Sequence, residues 1–101
     1  MIRTDAEGYL IDPAEWDEAV AAELAGREDI ALTDEHWIVL RFMRAYYDEH
    51  RIAPDVRHVM KHLTQTNGAG RNRVFELFPY GYVQQTCKIA GMRRPRSWST
   101  G

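Results

Sequence analysis

The chain has 101 residues, 45% of them hydrophobic and 28% charged, which suits one compact soluble domain and leaves too little chain for a second. No apolar run exceeds the four residues of Ala19-Val20-Ala21-Ala22, against about 20 for a membrane-spanning helix, and Asp5 and Glu7 interrupt a start with no apolar signal stretch, so a cytoplasmic location is expected. The net charge of −2 hides a split: residues 1–50 hold thirteen acids and four arginines, a balance of −9, and residues 51–101 hold nine Lys/Arg and two acids, a balance of +7.

Halves of this kind, packed side by side, would present faces of opposite sign and steer an acidic partner or a nucleic acid to the C-terminal half. Packed into one another, they would neutralise each other.

In chain order, the turn-like Asp5-Ala6-Glu7-Gly8 between short apolar segments predicts a small β-hairpin over residues 2–11. Asp12-Pro13-Ala14-Glu15 combines an N-cap acid, a proline at the first helical position and a glutamate three residues after the cap. A first helix is therefore expected over 13–25, stopped by Gly26, with Trp16, Val20 and Leu24 as its inward stripe. Thr33-Asp34-Glu35 opens the second helix with a capping hydroxyl and two acids at the positive end of the dipole. Its body to His50 is the most aromatic segment of the chain and should be central, ended by Pro54.

A third helix is expected over 55–65, with Val56, Val59, Met60 and Leu63 inward, followed by a flexible loop through Gly70. A short helix over 71–77 and another over 80–90, stopped by Gly91, complete the bundle. The last ten residues lack periodicity and, if extended, would reach about 33 Å as a C-terminal arm; an ordinary frayed tail is the plainer reading.

Few residues here can carry chemistry. Cys87, the only cysteine, excludes an internal disulfide and cannot by itself form a four-ligand zinc or iron–sulfur site. It shares a helical stripe with Val83 and Ala90, which points it inward as an inert small hydrophobe, whereas Lys88 and the arginines at 93, 94 and 96 would favour its thiolate. One thiol with no identified base or cofactor is too little for an autonomous enzyme. His58 and His62 lie four apart, as metal ligands can, but Arg57 and Lys61 interleave with them and no third ligand is evident, so a solvated face is the better reading. The second and third helices also suggest a helix-turn-helix in which Arg57, Lys61, Arg71 and Arg73 would face DNA phosphates.

Six words of the sequence go further: Gly8-Tyr9-Leu10, Leu32-Thr33-Asp34-Glu35-His36-Trp37, Arg44-Ala45-Tyr46-Tyr47, Ile52-Ala53-Pro54-Asp55-Val56-Arg57, Leu77-Phe78-Pro79-Tyr80-Gly81 and Cys87-Lys88-Ile89-Ala90-Gly91. In this order, over nearly the whole chain, they resemble the DsrC/TusE family of sulfur-relay proteins. The resemblance implies a mainly α fold: an orthogonal helical bundle at 1–91, with an N-terminal hairpin and a helix-turn-helix-like pair, and a flexible arm at 92–101. In that family a penultimate cysteine on the arm carries the working sulfur. Members associated with dissimilatory sulfite reductase have a second cysteine eleven positions earlier, whereas those relaying persulfide sulfur for tRNA 2-thiouridine synthesis rely on the penultimate one.

Cys87 matches the earlier cysteine, and the position eleven residues later holds Trp98. Arg93-Arg94-Pro95 stands where the family tends to have Pro-Lys-Pro, and Tyr82 and Gln84 replace a proline and a lysine ahead of the cysteine. The resemblance then implies a sulfur-trafficking protein that docks on a sulfurtransferase or a sulfite-reductase-type complex. Cys87 is its only candidate persulfide-accepting thiol, Arg93, Arg94 and Trp98 are candidate partner contacts, and no cofactor is implied. The alternative is a regulatory family member acting by docking alone or by DNA binding.

Overall fold

The computed structural model describes residues 2–70 and 72–93. Arg71, Arg94 and Trp98, and the arm beyond Arg93, lie outside them.

The expected hairpin is reduced to a single antiparallel bridge, Thr4 with Leu10, and no strand forms among the described residues. Asp5 explains the shortfall, because its carboxylate accepts the backbone N–H groups of both Glu7 and Tyr9 and closes a tight turn over Gly8, whose φ is +95°. The Asp5 N–H to Tyr9 O and Ile11 N–H to Arg3 O bonds flank this bridge.

The first helix also departs from its expected span. Pro13–Glu15 forms one 3-10 turn capped by Asp12, the chain extends at Trp16 and Asp17, and α1 (Glu18–Arg27) starts afresh with Asp17 accepting from the Val20 N–H. Two capping acids five residues apart make two starts, and Trp16 in the break is free to turn toward the C-terminal helix. Gly26 lies inside α1 and does not stop it. The left-handed residue that ends the helix is Asp29, after which the Ile30 N–H returns to the Ala25 carbonyl.

α2 (Asp34–His50) opens on a capping box in which the fourth member is histidine: Thr33 and His36 satisfy each other's backbone groups. The helix ends at Arg51, which adopts φ +63° and donates its N–H to the Tyr47 carbonyl, three residues before the proline expected to end it. α3 (Val56–Asn67) is capped by Asp55, which accepts from the Arg57 and His58 N–H groups, and is closed by Gly68 in the left-handed region. α4 (Arg73–Leu77) and α5 (Tyr82–Ile89) complete the bundle.

α2 is central, touching α3, α4 and α5, while α1 lies on α5. Val39, Leu40 and Met43 of α2 are buried with Val59 and Leu63 of α3, Val74 and Leu77 of α4, and Tyr82, Val83 and Ile89 of α5. Each aliphatic side chain among them contributes about 1.5–3 kcal/mol by leaving water. The Tyr82 hydroxyl donates to the Pro54 carbonyl, so the buried phenol ties α5 to the α2–α3 connection.

This topology interleaves the oppositely charged halves, and ion pairs form between them, Arg73 with Glu35 and Lys88 with Glu28 at 3.7 Å. Among the described residues, neutralisation within the fold therefore takes part of the charge that two opposed faces would have shown.

A guarded thiol and the clamp beside it

The C-terminal end of α5 carries Cys87, the one candidate thiol of the sequence. Cys87 is 1% exposed and belongs to the main hydrophobic cluster. Burial pushes its thiol up to about 12, because a thiolate there would lose its hydration and gain no compensating charge. Of the basic residues expected to favour its thiolate, the two described ones, Lys88 and Arg93, leave it neutral. Lys88, next in the chain, turns the other way, to Glu28 and over the Tyr9 ring at 5.4 Å from its centroid. Arg93 is exposed.

The last turn of α5 closes through three backbone bonds: Ala90 N–H to Thr86 O, Gly91 N–H to Lys88 O, and Met92 N–H to Cys87 O. Gly91, at φ +70°, is the left-handed residue on which this turn reverses the chain, two residues before the described segment ends. Trp16 and Arg44 hold the turn from outside. The Trp16 indole N–H donates to the Ile89 carbonyl at 2.9 Å, and the Arg44 guanidinium donates to the Ala90 carbonyl while lying 4.1 Å from the centre of the Trp16 ring. Gly91 packs so closely against Trp16 that any Cβ there would overlap the indole.

Arg44 is half-buried, and loss of hydration lowers its pKa while Asp48 opposes that shift. Among the described residues no carboxylate lies within ion-pair distance of it. Its bonding partners are a neutral carbonyl and an aromatic face, which makes its position a matter of geometry more than of charge pairing. The sequence pattern places Trp16 on an inward stripe and gives Arg44 no role. The signal it does offer is an arginine inside the most aromatic helix, where a half-buried guanidinium requires acceptors from elsewhere in the fold.

The remaining candidates are spread around the molecule. Arg57 is bound to Asp55, Arg73 to Glu35 and Glu76, and Lys61 is exposed. Two of the expected phosphate contacts are thus already paired with acids, so this arrangement gives DNA binding no support. His58 bonds Asp55 and His62 stacks on Phe42 with ring centres 4.3 Å apart. Among the described residues no group of three or more His, Cys, Asp or Glu is placed to hold a metal, and no helix is long and apolar enough to cross a membrane. His36, the buried member of the capping box, also bonds the Leu77 carbonyl and meets the Phe78 ring edge-on, which is a structural task.

Known proteins share both sequence and fold with this chain. The family described as DsrC like protein matches residues 1–98. Sulfurtransferase TusE of Pectobacterium atrosepticum is 45% identical over 97 residues, covering 93% of this chain and 89% of that protein. TusE of Yersinia pestis is 44% identical over 98 residues, covering 94% and 90%. The crystal structure of the oxidized gamma-subunit of the dissimilatory sulfite reductase, DsrC, from Archaeoglobus fulgidus superposes with a TM-score of 0.86 at 37% identity, covering 95% of this chain and 90% of that one. With the sequence match spanning nearly its full length and the helical bundle agreeing, the chain belongs to the DsrC-like family of sulfur-relay proteins.

Proposed function

We propose that this protein docks on a sulfurtransferase-type partner and accepts sulfur at Cys87, which is exposed only when the last turn of α5 opens. The observation that carries this reading is the Cys87-Lys88-Ile89-Ala90-Gly91 segment, kept as the end of α5 in a family member whose sequence holds no other thiol. In the transfer, the Cys87 thiolate attacks the terminal sulfur of the partner's persulfide. A new S–S bond forms on Cys87, the donor's S–S bond breaks, and the donor leaves as a thiolate that takes up the proton given up by Cys87. The exchange involves no net oxidation. Arg93, exposed just after the turn, and Arg94 and Trp98 in the following segment supply the docking contacts. An arginine and an indole are the side chains that most often dominate small interfaces.

The test is incubation of the full chain with a persulfide-loaded sulfurtransferase, followed by intact mass. The expected result is a gain of one sulfur atom in the native protein and none in Cys87→Ser. No gain in either protein contradicts sulfur acceptance.

A further inference from the structure

We infer that Trp16 and Arg44 form a latch that sets access to Cys87: while they hold the Ile89 and Ala90 carbonyls the thiol is sealed, and their release frees the last turn of α5 with the rest of the bundle intact. The latch rests on the sulfur-relay reading only for its purpose; the opening itself is a property of the fold.

The holding groups come from outside α5. Trp16 sits in the break between the 3-10 turn and α1, and Arg44 is on α2, so two elements distant in sequence make the latch. Both act on the same short stretch, at consecutive carbonyls, and they also bind each other through the cation–π contact. The turn they hold has its own closure, since the Gly91 and Met92 N–H groups return to the Lys88 and Cys87 carbonyls. Opening it therefore requires breaking bonds made by residues 86–92 and withdrawing Ile89, Ala90 and Met92 from the core cluster, while the α2–α3 pair is a separate contact. Local openings of this type occur below the free energy of global unfolding.

The two contacts are also suited to reversal. The Ala90 carbonyl is a neutral acceptor for a half-buried guanidinium that has no carboxylate within ion-pair distance among the described residues. Trp16 is only partly buried, packed against the core cluster and outside its fully buried set. Trp16 and Arg44 are in this sense positioning residues: neither needs to touch the sulfur donor.

The test compares the full-length protein with Arg44→Ala, Trp16→Phe and a control, Val59→Ala, which weakens the α2–α3 core away from the latch. Global stability is read from urea unfolding, latch opening from hydrogen exchange of the Gly91 and Met92 amides, and access from the rate of Cys87 alkylation under native conditions. Trp16→Phe keeps an aromatic ring and removes the indole N–H, so it preserves the fold if Arg44→Ala does not. Alkylation and the two amide exchange rates are expected to rise about tenfold in the latch variants relative to a control of equal global stability, as loss of one charge-assisted or indole hydrogen bond implies. Amides of α2 and α3 should exchange as in the parent. Alkylation rates that follow global stability alone across all variants would overturn the latch. Free alkylation with no sulfur uptake in the latch variants would instead count against the relay reading and leave the latch standing.

Discussion

Gly91→Ala is expected to destabilise the protein by roughly 3 kcal/mol, the sum of about 1–2 kcal/mol for a left-handed non-glycine residue and about 1–3 kcal/mol for overpacking. The glycine has φ +70° and lies against Trp16 with no room for a Cβ. The indole cannot move aside cheaply, because its N–H is bonded to Ile89 and its face is covered by Arg44. Urea unfolding measures the loss. Gly26→Ala is the matched control: Gly26 is inside α1, where an added Cβ would meet open space, and alanine there should stabilise by about 0.5–1 kcal/mol. Equal effects at the two glycines would show that Gly91 is neither left-handed nor packed against Trp16 in solution, and a loss of only about 1–2 kcal/mol that it is an ordinary turn residue.

Alkaline pH should expose the buried thiol as a stability switch. Its pKa rises from the reference 9.0 to about 12 on folding, so the folded state favours the neutral form. A group whose pKa is raised on folding contributes fully below its unfolded value and loses that contribution as pH climbs to the folded value. Stability should therefore be flat from neutrality to about pH 9 and then fall toward about pH 12, by up to about 4 kcal/mol from this group. The buried Tyr82 phenol, also raised by burial, adds a fall in the same direction that begins near its own unfolded value of 10.0. Urea midpoints across this range, in the parent and in Cys87→Ala, separate the two: removing the thiol should delay the onset of the fall. An unchanged onset would mean that Cys87 is not buried in solution.

Most of the helical skeleton was legible in the sequence because its signals are local. Thr33 before Asp34 and the glycine at 91 act on backbone groups within a few residues of themselves, whereas Asp55 proves to be a cap outside the third helix and Gly68 stops it after Asn67, two residues past the expected end. The misreadings have the same origin. Asp17 is a second capping acid inside what looks like one amphipathic stripe, and the Asp5 side chain takes the Tyr9 N–H that a hairpin ladder would need. Competition between a side chain and the backbone for the same donors is not visible in hydrophobic periodicity.

The candidate site was legible in part. The stripe of Val83, Cys87 and Ala90 pointed the cysteine inward, and all three are buried. The run of basic residues after it suggested a stabilised thiolate, but proximity in sequence does not set direction in space: Lys88 is committed to Glu28. The clamp was not legible, since Trp16 meets Ile89 across 73 residues of chain and Arg44 meets Ala90 across 46. Only the tertiary fold brings them together.

The most direct measurement is the rate of Cys87 alkylation in the native protein, taken alone and with a sulfurtransferase partner. Alone, the thiol should react about a thousandfold more slowly than in the urea-unfolded chain, as about three pH units of withheld thiolate imply, and the partner should raise that rate to a saturating value. Rapid reaction of the free native protein, or a rate that the partner leaves unchanged, would contradict a guarded thiol opened by docking.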